Sequence, residues 1–117
     1  MHEMRLNNEP FEKIKNGSKK IELRLNDEKR RLVKIGDIIE FTNISNNDKL
    51  RVKVTNLYRF DSFKELFNNI DNTLFGHKDN NKDNYKVMSK YYSKEEEKKY
   101  GVLGIEIELI GDEKYGC

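Results

Sequence analysis

Lys19, Glu22 and Arg24 are the residues of this sequence whose types and spacing could do chemistry, and Lys20 stands among them. They follow Gly17, which ends one element and lets the next begin. In an extended chain successive side chains alternate, so Ile21, Leu23 and Leu25 share one face and Lys20, Glu22 and Arg24 the other, with Lys19 at the mouth of the strand. Cations around one carboxylate can hold a phosphate, Arg24 through its planar fork and Lys19 and Lys20 as point charges. Glu22 can accept from an exocyclic base amine or a ribose hydroxyl. The same residues would also form an exposed ion-pair ladder on a surface strand. Tyr58, Phe60, Tyr91 and Tyr92 are available for base stacking, worth ~1–3 kcal/mol per base. Aromatics on barrel strands more often fill the core, so only one of the four is expected to stack, and we assign that role to Tyr58.

The family resemblance given below implies two reactions as well, and the chemistry of this set bears on each. In amide hydrolysis Lys19, crowded by Arg24 and Lys20, would be the general base. Glu22 is a poor nucleophile, since its acyl product would be an anhydride, but it could activate a water. Ser18 would serve only if its turn aimed it into the site, and nothing in the sequence places Glu65 there as a second carboxylate. In RNA cleavage Glu22 would take the 2′-hydroxyl proton while Lys19 and Arg24 stabilise the phosphorane, without a metal. No cofactor is expected. His2 and His77 stand alone and read as incidental surface histidines. The run from Asp79 imitates a calcium loop, but its sixth position is Asn84 rather than glycine and its twelfth is Lys90 rather than glutamate. A calcium site is therefore excluded.

The chain has 117 residues, enough for one domain and one modest core; 38% are charged, yet the net charge is only +2. Nine Lys/Arg against four acids fall within residues 12–34, so the basic character is local. That pattern fits a confined anion site better than a general polycation, although Lys29, Arg30 and Arg31 would also suit a solvated loop tip. No apolar run approaches the roughly 20 residues needed to span a bilayer, and the N-terminus lacks the apolar stretch of a signal peptide. A soluble cytoplasmic protein is expected. The single cysteine, Cys117, excludes an intramolecular disulfide and is most simply inert.

The elements that must position these residues follow from periodicity. Strands are expected over 2–6, 19–25, 38–42, 50–60 and 102–110, with a bulge in the fourth where Leu57 falls out of phase. Short helices should begin near Pro10, after Ser62 and after Ser93; the last two carry the Ser-x-x-Glu capping pattern. The third helix is nearly all polar, and its Glu95–Glu97 run reads as a solvated face, the best surface that a pure protein-interaction module would offer. Residues 71–86 read as a long polar loop, 1–110 as one domain and 111–117 as a tail. Five strands separated by turns, with two or three short helices beside them, indicate an α+β fold built on a small curled mixed sheet or barrel.

The order Gly17, Lys19, Glu22, Arg24 resembles the Gly-x-Lys-x-x-Glu-x-Arg signature of the ASCH domain, a branch of the PUA-like β-barrel superfamily. The Pro10-Phe11 helix before it, Ile35-Gly36-Asp37 after it and Tyr100-Gly101-Val102 before the last strand extend the resemblance over essentially the whole chain. It implies a β-barrel with a cleft into which the motif's Lys, Glu and Arg project, and a role in binding RNA or nucleotides. It also implies two catalytic alternatives. Some small members are amidohydrolases acting on N(4)-acetylcytidine; they resemble this chain at Gly17, Lys19 and Arg24 but carry a nucleophilic threonine where Glu22 stands. Others are associated with RNA cleavage.

Overall fold

The computed structural model describes residues 1–110; the tail from Gly111, including Cys117, lies outside the described residues. Its elements are β1 (His2–Leu6), α1 (Asn8–Lys15), β2 (Ile21–Leu25), β3 (Ile38–Asn43), β4 (Lys49–Phe60), α2 (Phe63–Asn69), α3 (Lys94–Tyr100) and β5 (Val102–Leu109). The five strands form one sheet in the order β1-β3-β4-β5-β2, with β1 parallel to β3 and every other pairing antiparallel. The sheet curls into a half-barrel with helices packed alongside, the α+β, PUA-like architecture expected.

Alternation decides what each face of the sheet carries. The concave face, closed by α1, gathers Phe11, Ile39, Phe41, Val52, Val54, Leu103 and Ile105 into one apolar cluster. The opposite face of β2 and β5 presents Ile21, Leu23, Leu25 and Val102 to Phe63, Leu66 and Phe67 of α2. β5 is thus buried on both sides. The expected bulge falls in β4, between Val54 and Asn56, and shifts the register against β5.

α2 begins at Ser62, whose hydroxyl accepts from the Glu65 N–H, and α3 begins with a complete capping box between Ser93 and Glu96. Where a long polar loop was expected over 71–86, the chain forms two 3-10 segments, Asn72–Phe75 and Lys82–Lys90. Asparagine and aspartate side chains build them. Asp71 and Asn81 each accept from a backbone N–H two residues on, and the fully buried Asn72 donates to the carbonyls of Phe67 and Ile70. Among the described residues no helix is long and apolar enough to cross a membrane.

Candidate functional site

β1 and β2 are the two edges of the sheet, and the site lies at the seam between them. Glu22 and Arg24 pair with Ile105 and Leu103, so both project from the concave, otherwise apolar face. Gly17, at φ +86°, turns the chain so that the Lys19 N–H reaches the Lys13 carbonyl and the Lys20 N–H reaches that of Leu74. The Lys19 side chain then bends over β2 to Glu22.

The result is a compact ionic group rather than an exposed ladder. Lys19 Nζ lies 2.8 Å from Glu22 Oε1, and Arg24 Nε donates to Oε2 at 2.7 Å. Glu22 is only 4% exposed. Burial alone would push its carboxyl up, but the charges and hydrogen bonds of Lys19 and Arg24 outweigh that and hold it at about 2. Burial opposes the Arg24 charge, and Glu22 reverses the effect, so the guanidinium is held more firmly protonated than usual. Arg24 Nη2 also donates to the Arg5 carbonyl at 2.9 Å, tying the β2 edge to the β1 edge across the seam. Two of the five guanidinium N–H donors are so engaged.

Lys19, Glu22 and Arg24 line a cavity of about 330 Å³. One wall comes from β1 and α1, including Arg5, Pro10 and Lys13; the other comes from the 3-10 region, with Phe75, His77, Met88, Tyr91 and Tyr92. Lys13 Nζ crosses between the walls to the Gly76 carbonyl at 2.9 Å. Four cations and two carboxylates, Glu9 and Glu22, thus face an apolar and aromatic surface.

The sequence candidates distribute unevenly around this cavity. Lys20 points away from it and lines a separate hollow with Gly17, Thr55, Glu106 and Glu108. Tyr58 sits on the outer face opposite Gly104, and its hydroxyl donates to Glu106. Tyr92 lines the cavity but lies stacked on Phe63 at 5.6 Å; Tyr91, 60% exposed at the rim, makes no ring contact among the described residues. Ser18 and Glu65 are exposed and line no part of the cavity. His77, expected as an incidental surface histidine, instead lines the cavity with its ring edge-on to Phe67. Burial, then the charges of Lys13 and Lys19, depress its pKa. Its only sequence signal was a place in an Asn/Asp-rich stretch, which does not predict a wall. Among the described residues no group of three or more His, Cys, Asp or Glu is placed to hold a metal ion.

The sequence pattern of the ASCH domain matches residues 4–111. The chain belongs to the ASCH domain family. This ASCH domain is similar to the hypothetical protein PH0355, known from a crystal structure: 45% identity, 92% of this chain and 97% of that one covered, TM-score 0.80. It is similar also to protein PF0455 from Pyrococcus furiosus, solved by NMR: 42% identity, 95% and 98% covered, TM-score 0.70. Comparison with curated proteins gave no match.

Proposed function

We propose that this ASCH domain binds RNA by seating one nucleotide in the seam cavity. The observation that carries the reading is the buried Lys19–Glu22–Arg24 group, which fixes a guanidinium in a cavity wall with donors still unengaged. Because Nε is committed to Glu22, Arg24 meets a phosphate end-on through its Nη groups, and Lys13 and Lys19 add charge from the same side. Tyr91 supplies the stacking face across the cavity. A volume of about 330 Å³ suits a ligand of nucleotide size. Family membership supports RNA as the ligand class.

The metal-independent ribonuclease alternative asks Glu22 to take up a proton; the amidohydrolase alternative asks it of Lys19 as general base, or of Glu22 in activating a water, and Lys19 Nζ is committed to the Glu22 carboxylate at 2.8 Å. A carboxylate held at about 2 is a weak base at neutral pH, where an efficient general base titrates near 7. Binding without turnover is therefore the reading the geometry supports best. Fluorescence anisotropy with a labelled single-stranded RNA tests it. Tyr91→Ala should weaken binding by about 5- to 150-fold, the stacking range of ~1–3 kcal/mol, with an unchanged melting temperature because the ring is exposed. Lys13→Ala should weaken binding as well. Unchanged affinity in both variants would overturn the assignment of the cavity.

A further inference from the structure

On the far side of the Lys82–Lys90 segment lies a second and larger hollow, of about 960 Å³, between the start of α2 and the length of α3. Its rim carries Arg59, Lys64, Lys86, Lys94, Lys98 and Lys99, against only two carboxylates, Asp61 and Glu97. Glu97 is already engaged, since its Oε1 accepts from the Phe63 N–H at 2.9 Å. Among the described residues Lys64, Lys94, Lys98 and Lys99 have no carboxylate within ion-pair distance. In a chain of net charge +2 this is a strong local excess of positive charge. The floor is partly aromatic: Lys64 Nζ stands 6.0 Å from the Tyr85 ring centroid and Lys99 Nζ 5.1 Å from that of Tyr100. Met88 lines both this hollow and the seam cavity, so the two adjoin across a single side chain.

We propose that the lysine-rimmed hollow carries the phosphates of the same RNA strand whose nucleotide occupies the seam cavity, so that the ligand is a single strand of several nucleotides and not a free nucleotide. This rests on the reading of the cavity as a nucleotide site. Lysines above half-buried rings, with no acidic partners, suit a flexible phosphate chain read by charge and stacking more than by base edges. The path runs from Arg24 past Met88 to α3. Glu95 and Glu96, on the same helix, are not part of the hollow.

The test compares the parent protein, Arg24→Gln, and the triple variant Lys64→Ala, Lys98→Ala, Lys99→Ala. The probes are a single-stranded RNA of roughly ten nucleotides, within the span of small single-strand-binding folds, cytidine 5′-monophosphate, and a poly-glutamate peptide of matched charge. The triple variant removes only exposed side chains and should keep its melting temperature. It should lose tenfold or more in affinity for the RNA at low salt. Its slope of log affinity against log salt should also fall by about 2, as expected for three lost phosphate contacts on a single strand. Binding of the monophosphate should not change. RNA affinity and salt slope unchanged in the triple variant, while Arg24→Gln still weakens the RNA, would overturn the second site and leave the cavity standing. Loss in the triple variant with none in Arg24→Gln would instead remove the cavity reading, and with it the continuous strand. An equal loss for poly-glutamate would make the hollow a site for acidic peptides and overturn the proposal.

Discussion

A carboxylate enclosed between an ammonium and a guanidinium is a folding determinant as well as part of the proposed binding site. Glu22 titrates at about 2 in the fold against 4.5 when unperturbed, so the unfolded chain takes up its proton first as acid is added. Its contribution to stability is therefore complete above pH 4.5 and is lost as the pH falls towards 2, with a full extent of about 3 kcal/mol. Urea unfolding of the parent should lose stability steeply through that window, while Glu22→Gln should lose less. At pH 7 Glu22→Gln should itself be destabilised by ~3–5 kcal/mol, because Lys19 and Arg24 keep their buried charges without the counter-ion. Parallel pH profiles for the two proteins would contradict the ionic account of this site. His77 acts with the same sign at milder pH. Its pKa is depressed on folding, so protonation below about 6.5 favours the unfolded chain. His77→Asn should flatten that part of the stability profile.

At the scale of elements, the cavity is only as well defined as its second wall, and that wall hangs on Asn72. This residue is fully buried, donates to two carbonyls, receives the Asn84 amide on its side-chain oxygen, and has its own N–H held by Asn80. Asn72→Ala takes the side-chain donor from the Ile70 carbonyl and leaves that of Phe67 with the longer contact from Lys82 Nζ at 3.3 Å, and should cost ~1–3 kcal/mol in denaturant unfolding. It should also weaken RNA binding through displacement of His77 and Tyr91, although Asn72 lies outside the cavity lining. Wild-type affinity in a destabilised Asn72→Ala would show that the 3-10 wall is not needed. The strands were legible because burial imposes a two-residue period on them, and Leu57 marked the bulge by breaking it. The 3-10 wall was not legible, because side-chain-to-backbone bonds of Asn and Asp leave no periodic trace. The same limit applies at the start of β2. Alternation grouped Lys20 with Glu22 and Arg24, but the turn at Gly17 and its backbone bonds to Lys13 and Leu74 are what bring Lys19 inward and send Lys20 away.

Over the whole molecule, an open sheet edge is turned into a site instead of being covered. β1 and β2 are not hydrogen-bonded to one another as strands; Arg24 spans them through the Arg5 carbonyl, and α1 and the 3-10 region stand on either side. The basic character of residues 12–34 divides accordingly. Lys13, Lys19 and Arg24 face the cavity, whereas Arg30 pairs with Asp27 at 3.2 Å. Near-neutral charge overall with cations gathered at hollows fits a ligand held at defined places. The central claim is that RNA enters at the seam, and the most direct measurement is a ¹H–¹⁵N NMR titration of the protein with a short single-stranded RNA, following backbone amides and the Arg24 Nε–H. The account predicts the largest shifts at Arg24 Nε–H and at the amides of Lys19, Glu22, His77 and Tyr91. Saturable shifts that leave these signals in place would contradict it, as would none at all.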